Sequence, residues 1–371
     1  MTKAAELAKM GEVLTNSQIG GRRNIVINGG MNVAQRSTSE TGLGASSGYF
    51  TLDRFRITSG NNAGRFTMSQ SSVTDLPGFA NALKMDCTTA DTSTDAAENL
   101  RLQTLLEGQD LQQLKKGTSS AEKFTISFYV KGNASATYML ELFDGDNSRH
   151  NTQQFAVTSS WNRISLTFAG DTTGAFDDDN AVSLYLNFWL HAGSTYTGGT
   201  YTANTWASNT NANRAVGISS FFDSTDRTLE ITGLQMEIGS VATPFEHRSF
   251  GEELALCQRY YERYETSGAN YARFGLFQCT STTTAFGAID YKVSKRSASV
   301  TLDTELTRLA LSDSDNSMLP VTAIAIDSNC NSFENTSVTI TASGGGLVAG
   351  ECTQLLSENV NNGYIAIDAE L

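Results

Sequence analysis

The sequence predicts a mainly β fold: an antiparallel β-sandwich or jelly roll followed by a smaller β-domain at the C-terminus. Only 18% of the 371 residues are charged and only three are prolines, whereas Phe and Tyr are abundant. This composition suits twisted strands joined by Gly and Asn turns. Apolar and polar residues also alternate in several runs, which is the period of a strand with one buried face. At this length two domains are expected rather than one.

The alternation is clearest over 124–130, 164–168 and 182–190, which we predict to be strands. In the last run one face is apolar, and the opposite face is aromatic as well as polar. That opposite face carries Tyr185, Asn187, Trp189 and His191. A strand face that meets only solvent does not require aromatic rings.

A change of phase within residues 228–238 predicts a local irregularity in a strand. The apolar residues occupy odd positions up to Ile231 and even positions from Leu234 onward. Since a shift of one residue moves every side chain to the other face, we predict a β-bulge at Gly233 that restores the phase.

Two short helices are predicted outside the strands. The first covers residues 3–14 and would be marginal in water alone, so it requires a surface to pack against. The second is a connector over 248–265. Their apolar residues at helical or heptad spacing are Leu7, Met10 and Leu14 in the first, and Leu254, Cys257, Tyr261 and Tyr264 in the second. We predict that both stripes contact neighbouring copies of the chain; packing of the second on its own domain is the open alternative.

The position of the helices sets the predicted domain boundaries. Pro244 ends the sandwich, and Ser- and Thr-rich strand patterns resume after the connector. The predicted parts are an N-terminal helical segment (1–20), a β-sandwich (21–247), the connector helix (248–265) and a C-terminal β-domain (266–371).

Composition argues against several classes of protein. A net charge of −13 disfavours a nucleic-acid partner, because phosphate binding requires a Lys- and Arg-rich surface. No stretch approaches the roughly 20 apolar residues of a membrane span, and the N-terminus lacks the apolar core of a secretory signal. The five cysteines and three histidines are scattered, which predicts free buried thiols rather than disulfides or a zinc site. No strand precedes a nucleotide-binding glycine motif, so we expect no cofactor.

The segment 189–206 contains the best candidate for a ligand site. It is rich in Gly and Thr and contains the aromatic residues Trp189, Tyr196, Tyr201 and Trp206. Sugars present C–H faces that stack on aromatic rings, and neighbouring polar side chains bond to their hydroxyls. We predict glycan contact at these four residues; the alternative is that the rings cover the sandwich edge or fill a subunit contact.

Two acidic loops offer several oxygen atoms within a short distance along the chain. The carboxylates are Asp144 and Asp146 in one loop, and Asp177 and Asp179 in the other. Calcium takes roughly 6–8 oxygen ligands, so either loop is a candidate for a structural calcium site. Neither matches a complete calcium-binding loop, and we favour solvated turns.

A glycosidase needs a pair of carboxylates, which spacing alone cannot show. No nucleophile signature is present, and we predict no catalytic residue.

Several stretches of the sequence together carry a resemblance to a known family. They are NIVINGGMNVAQRSTS, FTLDRFRI, KFTISFYVKG, SSWNRISLTFAGD, LEITGLQMEIGSVATPFEHRSFGEELALCQRYY and YIAIDAEL. This combination resembles tail-fibre-like structural proteins of tailed bacteriophages, especially phages of marine and aquatic bacteria. The resemblance covers most of the chain and is most specific over 229–261.

The resemblance implies a carbohydrate-binding-module-like jelly roll, a C-terminal β-domain and homotrimeric assembly. It also implies a virion protein, assembled in the bacterial host cytoplasm, whose N-terminal segment attaches to other tail or adaptor proteins. The expected function is a non-enzymatic subunit of a tail fibre or similar appendage that contributes to recognition of a host-surface glycan. The alternatives are a carbohydrate-binding module or depolymerase acting on host polysaccharide, and a head decoration or tail adaptor protein.

Overall fold

We describe the protein from a computed structural model, in which the described residues are 3 and 22–371, apart from 267, 314 and 316. The chain divides into two compact units, the first ending at Glu253 and the second covering Leu254–Leu371. Residues 4–14 of the helix predicted over residues 3–14, which include Leu7, Met10 and Leu14, lie outside the described residues. The predicted contacts of that helix therefore stay predictions.

Two antiparallel sheets form the first unit, within residues 22–253. One has six strands in the spatial order β1 (Ser39–Leu43), β4 (Arg65–Ser72), β5 (Asn81–Thr89), β13 (Thr228–Ile238), β7 (Phe124–Gly132) and β10 (Asn162–Phe168). The other has seven, in the order β12 (Ala207–Ser208), β9 (Arg149–Val157), β8 (Ala136–Asp144), β11 (Val182–Ala192), β6 (Asn99–Glu107), β3 (Arg56–Gly60) and β2 (Gly48–Tyr49). Successive strands switch repeatedly between the sheets, as in jelly rolls. The predicted antiparallel jelly roll is confirmed.

The core of the sandwich is formed by the apolar faces that alternation predicted. The ring of Phe128 in β7 meets that of Phe188 in β11 with centroids 5.1 Å apart and an interplanar angle of 85°. Phe128 also lies 5.1 Å from Phe155 in β9, so one ring joins the two sheets. Because side chains alternate along a strand, the residues between these core positions lie on the opposite side of the sheet. For the seven-stranded sheet we call that side the outer face.

The β-bulge predicted at Gly233 is confirmed. The register of β13 against β7 shifts between Thr232 and Gln235, and Gly233 has a φ of 64°. A non-glycine residue rarely adopts this conformation, and a Cβ at Gly233 would also lie 2.8 Å from Cζ of Phe79.

The first described residues of the sandwich are bound to its last ones. The backbone N–H of Asn24 donates to Glu246 Oε2 at 2.8 Å. Arg248 Nη1 donates both to the carbonyl oxygen of Val26 and to Oε1 of Glu253, each at 3.1 Å. The beginning and the end of this unit therefore lie side by side.

The predicted connector helix is shorter than expected. Helix α2 covers Phe250–Gln258, and the chain then forms β14 (Tyr261–Glu265). Tyr261 and Tyr264 thus belong to a strand, and the prediction of one helix carrying a heptad stripe through 265 is wrong. The aromatic, strand-favouring residues after Gln258 pair with residues near the C-terminus, and this pairing overrides the heptad pattern. Leu254 and Cys257 remain helical, and contacts of the four residues with other copies stay a prediction.

The second unit combines a barrel with a small sheet. The barrel closes in the order β15 (Arg273–Cys279), β16 (Thr284–Asp290), β20 (Asn335–Ala342), β19 (Met318–Ile326), β18 (Leu309–Ser312) and β21 (Cys352–Ser357). The sheet contains β14, β22 (Tyr364–Asp368) and β17 (Thr301–Thr304). Ile365 and Ile367 of β22 share one apolar core with barrel residues such as Ile340. The smaller C-terminal β-domain is confirmed.

The remaining helical pieces are short. They are α1 (Ser194–Thr197) and the 3₁₀ turns Gly108–Leu114, Asn211–Asn213 and Leu306–Arg308. Across the described part of the chain, no helix has the length and apolar character needed to span a bilayer.

The prediction of free buried thiols holds for three of the cysteines, Cys87, Cys257 and Cys279. It is wrong for Cys330 and Cys352, which are exposed.

Candidate functional site

Trp189 lies at the centre of the outer face and is fully buried. Two guanidinium groups pack against its ring, with Cζ of Arg101 at 4.8 Å and Cζ of Arg214 at 5.1 Å from the ring centroid. The ring of Tyr196 packs against it with centroids 5.1 Å apart. Because no face of the indole is exposed, Trp189 cannot stack on a sugar in this arrangement. The structure corrects the predicted aromatic platform at this residue.

A buried hydrogen-bond network fixes the outer face around Glu141. Arg214 donates to the carboxylate twice, from Nε to Oε1 at 2.6 Å and from Nη2 to Oε2 at 2.9 Å. Oε2 also accepts from Nδ2 of Asn187 at 2.8 Å and from Nε1 of Trp189 at 2.7 Å. The network continues across the sheet, because Asn187 Oδ1 accepts from Nε2 of Gln103 at 2.6 Å.

The electrostatics of this network favour an ionised Glu141. Burial alone would raise the pKa of the carboxyl, but the charge of Arg214 and the hydrogen bonds that Glu141 accepts outweigh burial and hold this pKa below its ordinary value. Burial and the neighbouring positive charge of Arg214 lower the pKa of Arg101 to about 10. Arg101 therefore remains charged at neutral pH.

The segment 193–220 folds back over part of the outer face. Tyr196 and Tyr201 pack with Trp189 in a small apolar cluster. The Tyr201 hydroxyl also accepts from the backbone N–H of Gln154 in β9 at 3.0 Å. Three of the four predicted glycan-binding residues are thus brought together, but they attach this segment to the sheet.

Trp206 lies apart from the other three predicted residues. Its Nε1 donates to the carbonyl oxygen of Ala169 at 2.7 Å, and its ring packs against the edge of the main core. The ammonium of Lys116 lies 5.6 Å from the ring. Trp206 is half-buried and belongs to the edge of the sheet near β12, not to the outer-face cluster around Trp189.

An open part of the outer face remains beside the covered network. We call it the Tyr185 strip, and it consists of the half-exposed side chains of Arg56, Arg101, Phe143 and Tyr185. The rings of Phe143 and Tyr185 lie 5.6 Å apart, centroid to centroid, at 59°. Burial raises the pKa of the Tyr185 hydroxyl, which the charges of Arg56 and Arg101 oppose. The strip thus combines two aromatic rings with two positively charged donors.

The first acidic loop is occupied by ion pairs. Asp144, a calcium candidate, is fully buried, and its Oδ2 lies 2.6 Å from Nζ of Lys116. The same ammonium lies 3.3 Å from Oδ2 of Asp171. Lys116 therefore supplies at Asp144 the positive charge that a calcium ion would bring.

The other calcium candidates are exposed, and Asp146 bonds to the second acidic loop. Oδ2 of Asp146 accepts from the backbone N–H of Asp177 at 3.0 Å, and Oδ1 of Asp179 accepts from that of Ala181 at 2.9 Å. The bond at Asp179, from a residue two positions later, is the turn bonding that acidic loop residues often make.

The sequence contained a partial signal for this site. Alternation placed Tyr185, Asn187 and Trp189 on one face, but it gave no reason to choose Tyr185 over Trp189. Glu141 and Arg214 were missed, because their pairing joins strand β8 to a segment 73 residues away. Alternation in β8 could have placed Glu141 on the outer face; no sequence signal marked Arg214 as its partner.

Comparisons with known proteins give only weak structural similarities. No family model and no curated protein matches the sequence. Similar solved structures include a family 4 carbohydrate-binding module, with 11% identity over 57% of this chain and 98% of that chain and a TM-score of 0.30. A family 61 module in complex with β-1,4-galactotriose has 9% identity over 59% of this chain and 100% of that chain, with a TM-score of 0.30. The family 11 module of a cellulosomal cellulase of Clostridium thermocellum has 15% identity over 55% of this chain and 100% of that chain, with a TM-score of 0.28. Scores this low carry no functional argument.

Proposed function

We propose that the chain is a non-catalytic subunit of a bacteriophage tail fibre or similar appendage, and that its jelly roll binds a host-surface glycan at the Tyr185 strip. The observation that carries the glycan site is the pair of half-exposed rings of Phe143 and Tyr185 beside Arg56 and Arg101. Ring faces stack on the C–H faces of sugars, and guanidinium groups donate to hydroxyl or carboxylate oxygens.

The rigidity of the surrounding face supports this assignment. Phe143 and Tyr185 project from neighbouring strands, β8 and β11, in direct register. Arg214 donates a hydrogen bond to Glu141, and Cζ of Arg214 also lies 4.8 Å from the ring of Phe143. Side chains fixed in this way lose little conformational entropy when a ligand binds, which favours affinity.

The geometry also supports a binding role over a catalytic one. A glycosidase uses two carboxyl groups, of which one donates a proton to the leaving oxygen. Glu141 is ionised and fully engaged by Arg214, Asn187 and Trp189. It is therefore unsuited to deliver that proton, and we assign no catalytic residue.

The virion role is supported by the resemblance of the sequence to tail-fibre-like proteins. On this proposal the chain is a homotrimer in the virion, assembled in the bacterial host cytoplasm, and its N-terminal segment binds tail or adaptor proteins. Immunogold labelling of intact particles should place the protein on the tail, and mass photometry should give a trimer at micromolar concentration. Labelling of the head, or a monomer only, would contradict this part of the proposal.

A pair of matched variants tests the glycan site. Tyr185→Ala should weaken binding to host-cell polysaccharide by about tenfold, because it removes one stacking ring. Tyr129→Ala is the control, since Tyr129 is a half-exposed tyrosine on the corresponding face of the six-stranded sheet. Equal binding by both variants would refute the Tyr185 strip. Release of reducing ends from the polysaccharide by the wild-type chain would refute the non-catalytic assignment.

A further inference from the structure

A cluster of side chains that could bind a metal ion lies at the end of β11, apart from the proposed glycan site. His191 is near the end of that strand, and Asp91 and Glu98 flank the exposed stretch of the loop between β5 and β6. One ligand atom from each residue lies within 4.8 Å of the other two. The exposed fractions are 1% for His191, 3% for Glu98 and 6% for Asp91, so the cluster is buried.

The imidazole of His191 is held at both nitrogens. Nδ1 lies 2.7 Å from Oγ of Ser220, and Nε2 lies 3.0 Å from Oε2 of Glu98. Oγ of Ser220 is itself fixed, because it accepts from the backbone N–H of Phe222 at 3.1 Å. A histidine whose one nitrogen bonds to a neighbouring oxygen presents the other nitrogen in a fixed direction, as metal-binding histidines do.

The cluster contains more negative than positive charge. Asp91 accepts hydrogen bonds from the backbone N–H groups of Ala63 at 3.0 Å and of Ser93 at 3.3 Å, and no described Lys or Arg pairs with it. Among the described residues, His191 is the one ion-pair partner of Glu98. Two buried carboxylates thus share at most one positive charge, and a buried charge is costly unless it is compensated.

Asn62, next to the residue whose backbone bonds to Asp91, provides an independent observation. Its Nδ2 donates to Oγ of Ser59 and to the carbonyl oxygen of Asn99, both at 2.7 Å, which fixes the orientation of the amide. Its Oδ1 is buried and accepts no hydrogen bond from any described residue. Asn62 immediately precedes Ala63, which bonds to Asp91, and its partner Asn99 immediately follows Glu98. An unsatisfied oxygen therefore lies in the segments that form the cluster.

We propose that Asp91, Glu98 and His191 bind one divalent transition-metal ion of the zinc type, with Oδ1 of Asn62 as the fourth ligand. One imidazole with oxygen ligands suits zinc, cobalt or manganese, whereas calcium and magnesium take oxygen ligands alone. Metal bonds of about 2.0–2.2 Å place two ligand atoms no more than about 4.4 Å apart. The 4.8 Å spread therefore has to contract slightly on binding.

Binding changes the protonation of the cluster in a defined way. Metal binding requires the proton between Nε2 of His191 and Oε2 of Glu98 to leave to solvent, while the neutral imidazole keeps its one proton on Nδ1, which donates to Oγ of Ser220; Nε2 and the carboxylate then both face the ion. The ion then joins three segments: the end of β11, the loop before β6 and the turn before β4. The site is structural, since all four proposed ligand residues are buried.

A titration of the full chain tests the proposal. The exposed thiols are first removed by Cys330→Ser and Cys352→Ser, so that they do not bind metal. After treatment with a chelator, calorimetry with Zn²⁺ should give one ion per chain, and Zn²⁺ should raise the unfolding temperature while Ca²⁺ does not. Co²⁺ should give visible absorption bands of a four-coordinate site. Absence of Zn²⁺ and Co²⁺ binding would overturn the proposal.

Two variants and one control locate the ion. Glu98→Gln keeps an oxygen that accepts from Nε2 of His191 but removes the charge, so it should fold and bind Zn²⁺ about 100-fold more weakly. Asp91→Asn is the second variant, should circular dichroism show that Glu98→Gln is unfolded. The control is Asp95→Asn, an exposed carboxylate in the same loop, which should bind as the wild type does. Wild-type affinity in a folded Glu98→Gln or Asp91→Asn variant would overturn the proposal.

Discussion

Nε of Arg214 lies 2.6 Å from Oε1 of Glu141, and this buried ion pair attaches segment 193–220 to the outer face of the sheet. Glu141 is fully buried and Arg214 is 8% exposed. The pair thus lies where the loss of one charge cannot be compensated by water. Its removal affects the shape of the face on which the proposed glycan site lies.

Arg214→Met should destabilise the first unit strongly. The variant leaves the Glu141 carboxylate buried without its cation, and we expect a loss of about 3–5 kcal/mol in the free energy of unfolding. Urea unfolding followed by tryptophan fluorescence measures it, because all three tryptophans precede Glu253. Lys115→Met is the control: the pair of Lys115 with Glu122 is exposed and should contribute under about 1 kcal/mol. Equal losses in the two variants would contradict the buried pair.

The same pair predicts how stability depends on pH. The pKa of Glu141 is lowered in the folded state, so between that pKa and the ordinary value of about 4.3 the unfolded chain binds more protons. Stability from Glu141 is therefore present above pH 4.3 and is lost as the pH falls below it. The double variant Glu141→Gln, Arg214→Met lacks this contribution. Its unfolding free energy should fall less than that of the wild type between pH 6 and pH 3; parallel curves would argue against the assignment.

Gly233→Ala should destabilise the sandwich through the bulge in β13. Its φ of 64° disfavours a Cβ, and that Cβ would lie 2.8 Å from Cζ of Phe79. We expect a loss of about 1–3 kcal/mol. Gly251→Ala in α2 is the control, because a Cβ there has no neighbour within 4 Å and alanine favours a helix. A neutral Gly233→Ala would mean that the bulge is not required.

Trp189→Phe distinguishes between two roles of Trp189: a buried side chain that stabilises the fold, and a ring that stacks on a sugar. Phenylalanine retains the ring packing but not the Nε1 donor to Glu141, so we expect a loss of about 1.5–3 kcal/mol. Trp206→Phe is the matched control, since its Nε1 donates to a neutral carbonyl and should cost about 0.5–1.5 kcal/mol. Thermal and urea unfolding check both. An unchanged stability with weaker glycan binding in Trp189→Phe would instead restore the predicted platform.

The parts of the fold that could be predicted depend on local patterns. Alternation identified strands β7, β10 and β11, and the change of phase at Gly233 identified the bulge, because both are properties of consecutive residues. The connector shows the limit of such patterns. Tyr261 and Tyr264 fit a heptad, but residues 261–265 form an antiparallel strand pair with residues 364–368. The choice between a helix and a strand therefore depends on a segment far away along the chain.

The candidate site was harder to predict for a related reason. Trp189 and Tyr185 lie on the same face of one strand, and the sequence does not show which of them a later segment covers. The covered residue is determined by the pairing of Arg214 with Glu141, which is a contact between residues far apart along the chain. Three of the four predicted aromatic residues do lie together, whereas Trp206 lies apart and the exposure of the rings could not be read from the pattern.

The contacts of Asn24 with Glu246 and of Arg248 with Val26 mean that the polypeptide enters and leaves the jelly roll at one point. A domain with adjacent ends can be inserted into a surface turn of another protein, or circularly permuted, without rearranging its host or itself. Tension along the chain would load these few polar contacts first, and the two sheets would bear the load only after the contacts break.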